Sequence, residues 1–143
     1  MTVSRILKGK GSAVISVTGD KTVEVVCGLL SGNRIGAVVV VDAAGTLAGI
    51  FSERDVVNAF AREGADAFTR PVSGYMTRDV ETVTRDATVA SVMARMTAGR
   101  FRHMPVVEEG RLIGLISIGD VVKHRIAEAE READEMRTYI AMA

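Results

Sequence analysis

The chain has 143 residues, 48% of them apolar, and carries 18 basic and 18 acidic side chains. This length fits one compact domain with an ample core, and the balanced charge excludes a bulk electrostatic attraction to nucleic acid or anionic membranes. No apolar run approaches the roughly 20 residues of a membrane-spanning helix, and the N-terminus lacks the apolar stretch of a signal peptide. The single cysteine, Cys27, excludes an internal disulfide and suits a reducing compartment. We therefore expect a soluble, cytoplasmic protein.

The most informative feature is an internal repeat. Residues 16–23 align with residues 82–89 at an offset of 66, and five of these eight positions are identical. Residues 45–52 align with residues 110–117 at an offset of 65, and Asp-Val-Val follows in both copies. The change in offset falls in a predicted turn, where the loss of a residue costs least. Chance similarity would not confine its only gap to a loop, so we infer a duplicated unit.

The first repeat is predicted to have the order β-α-β-β-α. Its apolar residues recur at helical spacing, and two β-type runs are joined by a glycine-containing hairpin. The run Val38–Val41 does not alternate, so this strand is expected to be covered on both faces. The predicted elements are a strand at Val14–Val17, a helix with Val23, Val26, Cys27 and Leu30 on its apolar face, strands at Ile35–Val41 and Thr46–Phe51, and a helix that begins at Ser52.

The second repeat is predicted to follow the same order. A unit of about 60 residues buries too little surface alone, so the repeats are expected to pack face to face in one α/β (α+β) body. Its predicted elements are a strand at Val80–Val83, a helix with Val89, Val92, Met93 and Met96 on its apolar face, strands at His103–Val107 and Leu112–Ser117, and a helix that begins at Ser117.

The chain divides into four predicted parts. They are a first motif at residues 1–64, a connecting segment at 65–77, a second motif at 78–126 and a C-terminal amphipathic helix at 127–143. Within the connecting segment, Pro71–Met76 is similar to Val3–Leu7, which precedes the first repeat.

The C-terminal helix carries apolar residues in alternating steps of four and three over about three heptads, flanked by Glu and Arg. This spacing predicts contact with the same helix of a second subunit, and the alternative is a long amphipathic helix that lies on its own subunit. The seam is rich in alanine and therefore weak on its own, which favours the dimer contact. Its residues are Val122, Ile126, Ala129, Ala133, Met136, Ile140 and Ala143.

The signature Ser-x-x-Asp ends a strand and opens a helix in both repeats, at Ser52–Asp55 and Ser117–Asp120. One interpretation is a capping box, in which the acid reaches back to a free backbone N–H. The other is a ligand site, because strand ends in α/β layers leave crevices and a helix N-terminus attracts phosphate. A carboxylate there can accept both hydroxyls of a ribose. Two copies predict two related clefts across a pseudo-twofold axis.

The β-α-β-β-α repeat, with strands that end in Gly49–Asp55 and again in Gly114–Asp120, resembles the CBS-domain family, which is named for the regulatory region of cystathionine β-synthase. The resemblance covers nearly the whole chain as one CBS pair. It implies a paired module that commonly dimerises into a disc and binds adenosine-containing ligands between its two motifs. The implied regulatory ligands are AMP, ATP, NAD(H) and S-adenosylmethionine, and no cofactor is required.

The resemblance also implies which residues contact the nucleotide. The two motif acids would hold ribose, and the two motif serines would contact ribose or phosphate. A threonine from the first-strand segment of the other repeat would complete each cleft. These candidates are Asp55 and Asp120, Ser52 and Ser117, Thr84 beside Asp55, and Thr18 beside Asp120.

The two repeats differ at the strand start where the family places its phosphate-binding basic residues. Only the second repeat has basic side chains there, so the clefts are expected to be unequal, and Asp120→Ala is expected to abolish the stronger response. The alternatives are a solvated charge for the arginine at this strand start and a backbone-bonded histidine beside it. The candidate residues are Arg102, His103, Met104 and Pro105, together with Arg54 inside the first signature.

Other features are not interpreted as sites. Gly9–Ser12 lacks the spacing of a phosphate-binding loop and is interpreted as a mobile connector, although Lys8 and Lys10 could reach a bound phosphate. The two histidines and Cys27 lack metal-ligand spacing, and no catalytic constellation is evident. We therefore expect no metal site and no catalytic residue.

The predicted function is a non-catalytic regulatory module that binds an adenine nucleotide and signals through a homodimer to a protein effector that the sequence does not name. No nucleic-acid or membrane partner is expected. One alternative is a ligand-independent interaction module that acts through its dimer surface and C-terminal helix. The other is an enzyme that acts on the bound nucleotide, for which only His103 offers a base.

Overall fold

The structure is a computed structural model, and it describes residues 1–11 and 13–143. Helices and strands alternate in the two repeats as predicted, so the fold is mixed α/β (α+β). The helices are α1 (Val3–Lys10), α2 (Val23–Asn33), α3 (Glu53–Glu63), α4 (Val89–Gly99) and α5 (Ile118–Met142), with short 3-10 helices at Gly64–Thr69 and Val72–Gly74. The strands are β1 (Ser16–Thr18), β2 (Ala37–Val41), β3 (Leu47–Ser52), β4 (His103–Glu108) and β5 (Arg111–Ser117).

The first repeat forms a three-stranded sheet around β2. β1 pairs with β2 in parallel, and β3 pairs with it antiparallel. Val38, Val39 and Val40 on β2 are all fully buried. Because successive side chains of a strand point to opposite faces, both faces of β2 are covered, as its unbroken apolar run predicts.

The second repeat has a two-stranded sheet, β4 with β5, and only a remnant of the matching first strand. The prediction of a strand over residues 80–83 is wrong, because this segment forms only a single parallel bridge, from Val83 to β4. In the first repeat, the Val39 N–H donates to the Ile15 carbonyl at 3.1 Å. Pro105 takes the place of Val39 at the offset of 66 and has no N–H, so the second repeat loses this bond and its strand shortens.

Each repeat has its own buried cluster, and the segment that precedes each repeat packs on the other one. α1 precedes the first repeat, but its Val3 and Ile6 are buried in the core of the second, together with Met104. The Val3 N–H donates to the Ala87 carbonyl at 2.9 Å. The segment at residues 72–76, which precedes the second repeat, packs into the core of the first. This exchange ties the two repeats together.

α5 is the longest element, with 25 residues in one unbroken helix. The boundary predicted between residues 126 and 127 lies inside it, and the division of the chain stays a prediction. Val121 is the buried residue of α5, and residues 129–143 are all exposed. Within residues 1–11 and 13–143, no helix combines the length and the apolar character needed to cross a membrane.

Candidate functional site

Both Ser-x-x-Asp signatures are complete capping boxes. The Ser52 N–H donates to Asp55 Oδ2 at 2.8 Å, and the Asp55 N–H donates to Ser52 Oγ at 3.4 Å. Ser117 and Asp120 repeat these bonds at 2.9 and 3.2 Å. The capping interpretation is therefore confirmed. The box uses Oδ2 of Asp55, and no group among the described residues donates to Oδ1, so that oxygen stays available to a ligand.

A cleft of about 450 Å³ lies between the two repeats beside Asp55. The first repeat contributes residues 52–55 at the start of α3, together with Ile50. The second repeat contributes residues 79–81 and residues 99–103. Pockets for small ligands commonly have volumes of about 300–1,000 Å³. Because both repeats line it, the cleft depends on their paired arrangement.

The lining of this cleft is rich in charge. Arg54 Nη1 donates to the Arg100 carbonyl at 3.2 Å and so links the two repeats across it. Three guanidinium groups stand against four carboxylates, which gives a formal charge of −1 when His103 is neutral. The charged residues of the lining are Arg54, Arg100 and Arg102 against Glu53, Asp55, Asp79 and Glu81.

Burial changes the acidity of Asp55. Removal of its carboxylate from water raises the pKa above the ordinary value, and the hydrogen bonds from Ser52 and the charge of Arg54 offset this only in part. A poorly hydrated carboxylate gains more from a ligand hydroxyl than one that water already satisfies. Asp55 is therefore suited to accept hydrogen bonds from a ligand.

His103 lies between the two signatures. Burial lowers its pKa, and the nearby charge of Lys10 lowers it further, while Glu53 and Asp120 act in the opposite direction. The ring is therefore neutral at pH 7. It packs against the first repeat, since a Cβ on Gly36 would lie 3.2 Å from His103 Nε2.

The second signature has a contact that the first lacks. Gly9 and Lys10 form the end of α1 rather than the predicted connector, and Ser12 lies outside the described residues. Lys10 Nζ donates to Asp120 Oδ2 at 2.6 Å and to the Leu115 carbonyl at 2.8 Å. Burial alone would raise the pKa of Asp120, but the bond and charge of Lys10, with the capping bonds, lower it. The ammonium group of Lys10 is therefore already paired with Asp120, the acid of the second signature.

Comparison with known proteins places this geometry in a family. The family model described as CBS domain matches residues 11–62 and 72–127. This chain belongs to the CBS-domain family. Its two matched regions, the first and second CBS motifs, form a CBS pair, which is a regulatory, signal-transduction module.

Relatives share this CBS pair. The CBS domain-containing protein CBSX3, mitochondrial, from Arabidopsis thaliana is 33% identical over 147 residues, which cover 97% of this chain and 71% of that protein. The crystal structure of the CBS-domain containing protein ATU1752 from Agrobacterium tumefaciens is 47% identical with a TM-score of 0.86, over 87% of this chain and 99% of that one. The CBS pair of protein MJ0100, crystallised with 5'-methylthioadenosine and S-adenosyl-L-methionine, is 23% identical with a TM-score of 0.80, over 90% of this chain and 98% of that one. The predicted family and fold are confirmed.

Five of the eleven predicted site residues line the cleft between the CBS motifs. Three come from the first signature and two from the start of β4. They are Ser52, Arg54, Asp55, Arg102 and His103.

Thr84, which is predicted beside Asp55, does not line this cleft. Thr18 is predicted beside Asp120, so the lining of this cleft does not test it. The Thr84 hydroxyl donates to the Asp86 carboxylate, and the Thr18 hydroxyl donates to Asp20 in the same way. Val80, four residues before Thr84, lines the cleft in its place. Both threonines therefore bond within their own turns.

The remaining predicted residues belong to the core or to the second signature. Met104 is fully buried in the core of the second motif, and Pro105 is buried beside it. Side chains alternate along β4, so His103 and Met104 point to opposite faces. Ser117 and Asp120 lie at the start of α5, where Lys10 bonds to the acid.

Two parts of the arrangement were not predicted. Phe101 lines the cleft, but one aromatic residue before a strand gives no sequence signal for a ligand site. The positions of Lys10 and Asp79 beside the two motifs did have a signal in the sequence. The similarity of Val3–Leu7 to Pro71–Met76 has an offset of 69, and its extension by three residues pairs Lys10 with Asp79. A lysine thus stands beside the second motif where an aspartate stands beside the first.

Proposed function

We propose that this CBS pair is a non-catalytic regulatory module that binds an adenine nucleotide in the cleft beside Asp55. The observation that carries the proposal is the Asp55 carboxylate, which lines the cleft and keeps one oxygen free of the capping box. The free oxygen of a carboxylate in such a position can accept a hydrogen bond from a ribose hydroxyl. The MJ0100 pair, with its two adenosine-containing ligands, supports the same ligand class here.

The rest of the cleft suits the other parts of a nucleotide. Ile50, Val80 and Phe101 offer apolar surface for the adenine ring. Arg102, which is exposed at the cleft, offers a guanidinium group to phosphate oxygens. Ribose at Asp55 would then lie between base and phosphate, as the order of groups in a nucleotide requires.

The charge of the lining favours some adenosine-containing ligands over others. Three guanidinium groups and four carboxylates leave no surplus of positive charge for a triphosphate. A multiply charged anion in a partly buried site requires compensating cations. ATP carries the most negative charge of the four candidate ligands and needs the most compensation, so we propose AMP, NAD(H) or S-adenosylmethionine in preference to ATP.

The proposal assigns the ligand to the first cleft rather than to the second. Lys10 bonds to Asp120 through Oδ2, the oxygen that the capping box also uses, so its ammonium group already compensates this carboxylate and a ribose hydroxyl would gain less there than at Asp55. Asp55 has no such competitor among the described residues. This assignment reverses the expectation that Asp120 carries the stronger response.

We further propose that the module acts as a homodimer on a separate protein effector. Val57 on α3 and Val122 on α5 are equivalent at the offset of 65, and they are 66% and 46% exposed. Exposed apolar side chains at equivalent places of both motifs favour a repeated contact surface. The proposed cytoplasmic location rests on the single free cysteine, Cys27, whereas the name of the Arabidopsis relative assigns that protein to mitochondria.

The exposed C-terminal half of α5 favours a second candidate, an interaction module that works without ligand. Residues 129–143 are all exposed, as expected of a helix that serves a partner. The two candidates differ in one respect, since only the first requires a nucleotide in the cleft beside Asp55.

Calorimetric titration of a matched pair of variants tests the proposal. Asp55→Asn and Asp120→Asn each remove one charge from a capping box, so their effects on helix capping should be similar. Loss of a hydrogen bond to a charged group costs roughly 1.5–3 kcal/mol, so Asp55→Asn should weaken binding of AMP, NAD(H) or S-adenosylmethionine about tenfold or more. Asp120→Asn should leave the first cleft unchanged. Equal affinities of the wild type and Asp55→Asn would reject the site, and no binding of any of these ligands would favour the interaction module.

A further inference from the structure

α5 has two faces with different surroundings. Val121 is buried, and His124 and Glu128 are half-buried, so this face lies on the second motif. The apolar seam lies on another face, and among residues 1–11 and 13–143 it stays largely exposed. Its four large side chains are Val122, Ile126, Met136 and Ile140, which are 46%, 55%, 60% and 65% exposed.

The seam has the spacing of a coiled coil. In heptad positions labelled a to g, the a positions are Ile126, Ala133 and Ile140, and the d positions are Val122, Ala129, Met136 and Ala143. The small alanines at the centre allow two helices to approach closely. The residues that flank this seam, at positions g and e, determine which partner and which direction it accepts.

The flanking charges match a second copy of α5 in parallel, in-register alignment. In that alignment a g position faces the e position five residues later in the other helix. Arg125 would then face Glu130 of the second copy, and Glu132 would face Arg137 of the second copy. Both contacts join opposite charges, and the twofold axis doubles each of them.

The antiparallel alignment brings like charges together instead. With full overlap of the seam, each e position faces an e position and each g position faces a g position. Lys123 would meet Arg137, while Glu130 and Glu132 would each meet their own copies. The same residues therefore favour the parallel alignment and oppose the antiparallel one.

We propose that residues 122–143 of α5 form a parallel, in-register two-stranded coiled coil with α5 of a second copy. The inference rests on the homodimer of the proposed function and specifies its contact. Because α5 begins at the Ser117–Asp120 capping box, one rigid helix connects the second motif to this coiled coil. Three heptads make a short coiled coil, so its strength depends on contact between the CBS pairs as well.

Disulfide cross-linking tests the direction of the helices. In a Cys27→Ala background, Ile140→Cys should form a covalent dimer under mild oxidation, because residue 140 would meet its own copy. In the antiparallel alignment residue 140 would face residue 122, which places the two cysteines about 27 Å apart at 1.5 Å per residue. Thr138→Cys, on the opposite face of α5, is the matched control and should form little covalent dimer.

Charge reversal gives an independent measurement by analytical ultracentrifugation. Glu132→Arg should raise the dimer dissociation constant several-fold at low salt, and Glu132→Arg with Arg137→Glu should restore it. Glu135→Arg makes the same charge change away from the seam and should have little effect. A dimer without the disulfide at residue 140 would overturn the coiled coil and leave the homodimer intact. A monomeric wild type would overturn both, while calorimetry reports nucleotide binding separately.

Discussion

Replacement of Lys10 by methionine is the most direct test of the difference between the ligand sites predicted beside Asp55 and Asp120. The substitution keeps an unbranched apolar side chain and removes the ammonium group that bonds to Asp120. The side chains of Lys10 and Asp120 are 35% and 21% exposed. An ion pair with this much contact with water contributes about 0.2–1 kcal/mol, so Lys10→Met should lower the melting temperature by up to about 4 °C.

The same contact should weaken a ligand that binds at the second signature, where the sequence predicts the second cleft. A ligand that bonds to Asp120 meets a carboxylate that Lys10 already compensates, so its binding free energy is reduced by at most the free energy of the ion pair. At 25 °C, about 1 kcal/mol corresponds to roughly a fivefold change in dissociation constant. Lys10→Met should therefore lower the stability of the fold and strengthen binding at the second cleft by up to about fivefold.

Calorimetry in an Asp55→Asn background reduces the contribution of the first cleft, which should then bind about tenfold more weakly or worse. AMP is titrated into that variant with and without Lys10→Met. Lys8→Met is the matched control, since Lys8 is an exposed residue of the same helix, and the ion pairs found among residues 1–11 and 13–143 do not include it. Lys8→Met should change neither the melting temperature nor the affinity for AMP.

Weaker or unchanged binding after Lys10→Met would refute the reasoning, since it would make Lys10 a phosphate contact or a bystander. The pH dependence gives a second check. The folded state holds the pKa of Asp120 below its ordinary value of 3.8, so the stabilisation is present above pH 3.8 and is lost as the pH falls through the folded pKa. Lys10→Met should reduce this loss.

Two other substitutions test the packing and the protonation of the pair. Gly49→Ala should destabilise the fold by about 1–3 kcal/mol in chemical denaturation, because its Cβ would lie 2.6 Å from the Thr77 carbonyl oxygen. Gly28→Ala, in open space within α2, should stabilise it by about 0.5–1 kcal/mol, and equal losses in both variants would contradict the packing of residues 72–77 on the first motif. Burial holds the pKa of His103 below 6.5, so stability should fall as the pH drops from 6.5 toward the folded pKa, and His103→Gln should remove that dependence. An NMR titration that gives His103 a pKa of 6.5 or higher would refute its burial.

The elements that the sequence predicted well are those whose interactions are local. Each capping box joins residues three apart, so Ser52 and Asp55 show it in the sequence. The apolar stripes of α2 and α4 are also set by spacing within one turn or two. The strand lost at residues 80–83 depends instead on Pro105 in another strand, and its missing N–H matters only once the pairing is known.

The sequence by itself determined the duplication, the CBS family and the two signatures, because repeats and caps are patterns of neighbouring residues. It also predicted unequal clefts, from Arg54 and the basic residues that begin β4. Only the tertiary structure showed that the two signatures differ in the surroundings of their acids, because Lys10 bonds to Asp120. Lys10 and Asp120 are 110 residues apart, and they meet because α1 crosses to the second motif and buries its apolar face there. The similarity of Val3–Leu7 to Pro71–Met76 pairs Lys10 with Asp79, but it does not show which core the segment before each repeat enters, and the contact depends on that.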